Sequence, residues 1–184
     1  MEEKAILRHD TLAKLNEMDE ITYENRSASL AKQLYNEEVW HQATTIGITI
    51  ARFPEVATKE IIRRAWLEGK IVAIPETNNK TRAMHFRRYQ PNDPLIQKAL
   101  GLYEPTKDAP IISEEEIDLL IVPGVVFRSD GYRIGFGGGF YDRYLAGYKG
   151  NTISLCYTDQ MTTNFTLENH DLPVQKLLIE ANQK

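Results

Sequence analysis

Ile117-Asp-Leu-Leu-Ile-Val-Pro-Gly-Val-Val-Phe127, followed by Gly131-Tyr-Arg-Ile-Gly-Phe-Gly-Gly-Gly-Phe-Tyr-Asp-Arg143, is the stretch on which the fold turns. Ile117 to Val122 reads as a buried strand, and Phe140 to Ala146 as the opening of a helix. Between them Gly135, Gly137, Gly138 and Gly139 crowd into five residues. Such backbone takes positive φ and comes close to a ligand. Successive exposed N–H groups there make a concave anion site, and a helix opening behind it adds its own orphan N–H groups. No Gly-Lys-Ser/Thr closes the run as in a P-loop. Phe140 stands where a dinucleotide fingerprint needs its third glycine. Arg133 before the glycines, with Asp142 and Arg143 after them, supplies a cation for phosphate oxygens and a carboxylate for a metal ion.

Outward from this block the pattern alternates. Toward the N-terminus, Thr44 to Ile50 is a β-branched strand, and Thr58 to Glu68 is a helix with Ile61, Ile62, Ala65 and Trp66 on its apolar side, stopped by Gly69. Lys70 to Pro75 and Met84 to Tyr89 read as strands around a turn at 78–81. Asp93 to Leu100 reads as a short helix. Toward the C-terminus, Thr152 to Tyr157 and Val174 to Ile179 read as strands. The first 40 or so residues form two helices, the second with Thr22 as a candidate cap. These elements predict an α/β fold with a mostly parallel sheet, helices on both faces and an N-terminal helical segment. Ligands of such sheets bind beyond the carboxyl ends of the strands, which is where the glycine loop falls.

The chain has 184 residues, 42% hydrophobic and 26% charged, which suits a single domain over its whole length. A net charge of −4 argues against general nucleic-acid binding. No apolar run reaches the ~20 residues of a membrane span, and the opening Met-Glu-Glu-Lys carries no leader core. The lone Cys156 lies in an apolar run, so neither a disulfide within the chain nor a cysteine zinc site is expected. A cytoplasmic protein, monomeric or weakly dimeric, is the expectation.

Other candidate residues are less specific. Lys4 and Arg8 share a helix face, as a solvated edge or as a grip on phosphate. In Pro54-Glu-Val-Ala-Thr58, Thr58 is a candidate N-cap, and Glu55 either faces the cleft or complements the helix dipole. Asp171, in Asn169-His-Asp171, suits a cap, a turn or a metal. His9, His41 and His85 show no metal-ligand spacing. From the residues alone the chain is a nucleotide-binding α/β protein, with a non-catalytic phosphate sensor and a sugar-phosphate isomerase as competing functions.

The 117–143 block resembles the signature of the 5-formyltetrahydrofolate cyclo-ligase family. Lys4 with Arg8, Pro54 to Thr58, Lys70 to Pro75, Gly101 to Pro105 and Glu168 to Asp171 extend the resemblance in the expected order. It implies conversion of 5-formyltetrahydrofolate and MgATP to 5,10-methenyltetrahydrofolate, ADP and phosphate. By that resemblance Lys4, Ala5, Ile6, Leu7 and Arg8 hold ATP, together with Arg133, Ile134, Gly135, Phe136, Gly137, Gly138, Gly139, Phe140 and Tyr141. Ile50, Glu55 and the run from Phe136 to Phe140 contact the folate. Asp142 and Asp171 bear on Mg²⁺, and Arg133 and Tyr141 are the implied catalytic residues. The chain departs from some relatives in carrying Phe136 and Gly138 where they have cations, and Phe140 where Tyr is frequent. Phosphate would then lean on backbone N–H groups and Arg133.

Overall fold

The computed structural model describes residues 2–181. The chain opens with helices α1 (Glu2–Leu15), α2 (Glu20–Tyr35) and α3 (Glu38–Gln42). The cap of α2 is Asp19, whose carboxylate accepts from the Thr22 N–H at 2.8 Å, so Thr22 is the capped residue and not the cap. Strand β1 (Thr45–Gly47), helix α4 (Lys59–Leu67) and strand β2 (Ile71–Thr77) follow. Gly69 ends α4 at φ +76°. Thr58 precedes α4 without capping it; its hydroxyl donates to the Thr49 carbonyl at 2.7 Å and accepts from the Ala51 N–H at 2.9 Å. It clamps the loop after β1.

The chain continues through β3 (Met84–Arg88), β4 (Leu95–Gln97), β5 (Tyr103–Pro105), β6 (Ile111–Ile112) and β7 (Leu119–Ile121). The hairpin β8 (Val126–Phe127) and β9 (Arg133–Ile134) leads into α5 (Phe140–Leu145), and β10 (Asn151–Cys156) and β11 (Lys176–Ile179) close the order. The helix expected over 93–100 is absent. Leu95 to Gln97 pair antiparallel with Tyr103 to Pro105, and only Ala99–Gly101 makes a 3₁₀ turn. Tertiary pairing overrides local propensity there.

Seven strands form one sheet in the order β11-β10-β7-β1-β2-β3-β6. The pairs from β11 to β2 are parallel, and β3 is antiparallel to both of its neighbours. Alternation along the strands divides the core. Leu119, Ile121, Val72, Ile74, Ile153 and Leu155 pack with Leu30, Leu34, Ile61 and Ala65 from α2 and α4. Leu120, Val122 and Ala73 face the other way and are covered by Phe140, Tyr141, Tyr144 and Leu145 of α5. Both faces are therefore covered, one by a thick helical layer and the other by one short helix.

Leaving β1, the chain crosses to β2 on one side. Leaving β7, it crosses to β10 on the other. The β1–β7 boundary is thus the switch point of the sheet, where crossovers diverge and leave a crevice at the carboxyl ends.

Candidate functional site

A cleft lies at that crevice. It encloses about 390 Å³, counting its open mouth, and is lined by Thr49, Ala51 and Glu55 after β1, by Val122, Pro123 and Gly124 after β7, and by Leu155 and Gln160. Buried Gln160 shapes one wall. Its amide donates to the Gly124 and Val125 carbonyls, both at 3.1 Å, and its oxygen accepts from the Tyr157 N–H at 2.8 Å. Ile50 turns into the core, while its neighbours Thr49 and Ala51 face the cleft. Thr49 and Gln160 carried no signal in the sequence. A threonine in a β-branched run and a glutamine after a strand both pass as ordinary structure.

Glu55 sits at the cleft floor. Its backbone N–H donates to the Arg52 carbonyl, and its carboxylate accepts from the Arg52 N–H, both at 2.9 Å. The Tyr23 hydroxyl donates to the Glu55 carbonyl at 2.7 Å. Burial raises the carboxyl pKa, opposed by the Arg52 N–H and the Arg52 charge. Only one carboxylate oxygen is engaged among the described residues, which leaves the other to accept from a ligand.

Tyr141 comes from α5 toward the same cleft. Its hydroxyl is buried and has no hydrogen-bond partner among the described residues. Burial, then the nearby Glu55 carboxylate, raises its pKa, while the Arg133 charge and the Thr49 hydroxyl, which lies close but outside hydrogen-bond geometry, work the other way. It stays a neutral donor in the physiological range. An unpaired buried hydroxyl is a cost a folded protein normally avoids.

The glycine loop follows β9, and not the sheet strand at 119–121 directly, because the β8–β9 hairpin intervenes. Gly137 and Gly139 take φ of +103° and +69°, which require glycine. None of the N–H groups of residues 135–139 donates to a described residue. The helix behind the loop has six residues, so the dipole expected there is small, and the anion site rests on these free N–H groups and nearby cations. Arg8 reaches in from α1. Its Nε donates to the Gly135 carbonyl at 2.6 Å, and its guanidinium lies beside Gly137. Leu7 packs on Val125, Val126 and Ile134, which seats α1 against the hairpin, while Ile6 is exposed. Phe136 projects into solvent, and Phe140 packs on the core below.

Arg133 is buried, with both terminal nitrogens committed. One donates to the Leu172 carbonyl at 3.0 Å, the other to Asp142 Oδ1 at 3.4 Å. Burial lowers its pKa, against the pull of Asp142, Tyr141 and Asp171. Asp142 Oδ1 also accepts from the Leu172 N–H at 3.2 Å. Arg133 and Asp142 thus tie α5 to the segment carrying Asp171. Lys4 donates to Asp171 Oδ2 at 2.8 Å and lies 3.5 Å from Glu168. Burial opposes the Lys4 charge, but the Asp171 carboxylate outweighs it and raises the pKa. Burial acts against the Asp171 charge as well, and the Glu168 N–H and Lys4 overcome it, holding its pKa below the usual range. Glu168, His170 and Asp171 present ligand atoms within 4.8 Å of one another, with the Lys4 ammonium already among them. Asp142 Oδ2 accepts no hydrogen bond among the described residues, and Asp171 Oδ1 has only His170 at 3.7 Å. Each aspartate therefore keeps one oxygen open, which fits a hydrated Mg²⁺ shared with phosphate.

The structure brings together, at one end of the sheet, Glu55, Tyr141, Arg133, the glycine loop and the Lys4–Arg8 face. Among the described residues no helix is long and apolar enough to cross a membrane. The model of the 5-formyltetrahydrofolate cyclo-ligase family matches residues 1–180. The 5-formyltetrahydrofolate cyclo-ligase of Haemophilus influenzae is 32% identical over 143 residues, covering 75% of this chain and 76% of its own. That of Escherichia coli K12 is 30% identical over 137 residues, covering 72% and 75%. The 5,10-methenyltetrahydrofolate synthetase of Aquifex aeolicus superposes with a TM-score of 0.84 at 27% identity, over 97% of this chain and 90% of its own. That of Mycoplasma pneumoniae does so with a TM-score of 0.77 at 20% identity, over 95% and 96%, a likeness of fold. The chain belongs to the 5-formyltetrahydrofolate cyclo-ligase family.

Proposed function

We propose that the protein converts 5-formyltetrahydrofolate and MgATP to 5,10-methenyltetrahydrofolate, ADP and phosphate, as one domain with one site. The observation that carries this reading is the pairing of a buried, unpartnered Tyr141 hydroxyl beside Glu55 with a loop of five unengaged N–H groups next to Arg8. One half suits a compact polar heterocycle. The other suits a polyphosphate.

A formyl oxygen is a poor leaving group, so ring closure stalls unless that oxygen is activated. In the proposed sequence the formyl oxygen attacks the γ-phosphorus, the bond to the ADP oxygen breaks, and ADP leaves. N10 of the same folate then adds to the activated carbon, an intramolecular step in which proximity replaces a second collision. The C–O bond breaks, phosphate departs, and N10 yields its proton. No protein nucleophile is needed. Glu55 accepts from the pterin amino and ring N–H donors and fixes its orientation. The loop N–H groups and Arg8 spread the charge on the transferring phosphoryl group. Tyr141 donates to oxygen at the reacting end of the cleft. Arg133 holds Asp142 and α5 in place, and the open oxygens of Asp142 and Asp171 would hold Mg²⁺, which would supply charge neutralisation.

The test is direct. Protein, 5-formyltetrahydrofolate and MgATP are mixed, and the near-ultraviolet absorbance of the methenyl product is followed alongside ADP. One ADP per methenyl group is expected. ADP formed without methenyl product, or no turnover, refutes the reading.

A further inference from the structure

We propose that Arg52 and the tip of the β4–β5 hairpin form a subsite for the p-aminobenzoyl-glutamate half of the folate, with Arg52 taking the glutamate carboxylates. This rests on the cyclo-ligase reading and names the part of the substrate that Glu55 and Tyr141 leave outside the cleft.

Arg52 is continuous with the cleft floor, since its N–H holds the Glu55 carboxylate at 2.9 Å. Its guanidinium is exposed and has no carboxylate or carbonyl partner among the described residues. It lies against the hairpin tip instead: a Cβ placed on Gly101 would stand 3.5 Å from one of its terminal nitrogens. An unpaired cation held beside a substrate cleft matches an anionic ligand group.

The tip is unusual on two further counts. Leu100, a γ-branched residue, takes φ +62° with 79% of its surface exposed. Strain and exposure are both unfavourable, and strained backbone collects at ligand-holding segments. Leu102 and Tyr103 of the same tip are also exposed, at 42% and 46%. Apolar exposure gathered in this way marks a surface that a ligand covers. The base of the hairpin is firm. Buried Glu104 accepts from the Thr77 hydroxyl at 2.7 Å and from its N–H at 3.2 Å. A rigid stem thus presents an apolar tip next to a free cation, the order in which a benzoyl ring and then a glutamate leave a pterin bound at Glu55.

The substrate can be cut at the junction under test. 5-Formyltetrahydropteroate ends at the benzoate and lacks the glutamate, yet keeps N10 and can cyclise. Wild-type enzyme is expected to prefer the folate in kcat/KM by about fivefold to tenfold, the scale of one charge-assisted contact at a partly exposed site. In Arg52→Ala that preference should disappear, and in Arg52→Lys most of it should remain. The ratio of the two substrates cancels whatever Arg52 does to Glu55, because the pterin is common to both. An undiminished preference in Arg52→Ala, or none in the wild type, overturns the subsite. Wild-type enzyme that turns over neither substrate overturns the cyclo-ligase reading and the subsite with it.

Discussion

Replacing Tyr141 by Phe removes one oxygen and leaves the ring packing against Phe86, Leu120 and Val122 undisturbed in kind. In the free protein that oxygen is buried without a partner. A hydroxyl in that position costs about 1–3 kcal/mol, so its removal should stabilise the free enzyme by about 1 kcal/mol. For a chain of this size the melting temperature should rise by about 2–4 °C. The same substitution deletes a donor aimed at the reacting end of the cleft, and kcat should fall by about a hundredfold. Tyr144 provides the control. Its hydroxyl is also buried and unpartnered, but its ring stacks on Tyr148 and meets Phe86, and the carboxylates near it are Glu114 and Glu115 rather than Glu55. Tyr144→Phe should give the same stabilisation with kcat intact. The measurements are thermal unfolding of the free proteins and steady-state turnover. A folded Tyr141→Phe enzyme that melts lower than the wild type means the hydroxyl is satisfied. One that melts higher but turns over normally removes Tyr141 from the chemistry.

Glu55→Gln should weaken folate binding while ATP affinity holds, measured by calorimetry. Because burial raises the Glu55 pKa, the folded state holds the proton more tightly than the unfolded one, and the stability this confers is present in acid and lost as pH rises through the folded pKa. The glutamine should therefore stabilise the free protein at about pH 7.5, with the advantage shrinking toward about pH 4; a constant difference across that range contradicts the assignment. Arg133→Ala strands Asp142 and the Leu172 carbonyl, and should cost about 3–5 kcal/mol in chemical denaturation. A loss below about 1 kcal/mol would show that Arg133 is not the strut described. Asp142→Asn keeps an acceptor for the Leu172 N–H but loses the charge, so the Mg²⁺ needed for half-maximal turnover should rise; lost thermal stability with unchanged Mg²⁺ dependence makes the residue structural only.

Much of the sheet was legible because its strands are short, mostly apolar runs bounded by turns and helices. Ile117 to Val122 and Thr152 to Tyr157 could hardly be anything else, and the helical stripe of Ile61, Ile62 and Ala65 is buried as its spacing implies. The β2–β3 hairpin was legible from its turn at 78–81, but the two small hairpins β4–β5 and β8–β9 were not. Two-residue strands such as Val126–Phe127 have no period to read, and Leu95 to Gln97 pairs only because Tyr103 to Pro105 returns beside it. Among the site residues, the glycine loop announced itself through composition. The paired state of Lys4 and Arg133 did not, because their partners Asp171 and Leu172 lie 167 and 39 residues away. Sequence shows a cation near a phosphate loop. It does not show whether that cation is free or already spent on the fold.

That distinction divides the site into two kinds of group. Lys4, Arg133 and Asp142 Oδ1 are engaged in the free protein, so they hold geometry and gain little when ligand arrives, while Asp142 Oδ2 stays open for the metal. The N–H groups of residues 135–139, the Tyr141 hydroxyl, the second oxygen of Glu55 and the Arg52 guanidinium are all unengaged. The buried Tyr141 hydroxyl carries a desolvation cost that a ligand relieves, and the loop N–H groups and Arg52, which meet solvent, are free to exchange water for a ligand. The engaged set fixes where the unengaged set points, and that is preorganisation in structural terms. Folate binding should then stabilise this protein chiefly through the second set. Tyr141→Phe, which removes a cost from the free state, should also shrink the rise in melting temperature that saturating folate and nucleotide produce. Were that rise unchanged, the hydroxyl would be as unpaired in the complex as in the free enzyme, and no account of it as a donor to substrate could stand.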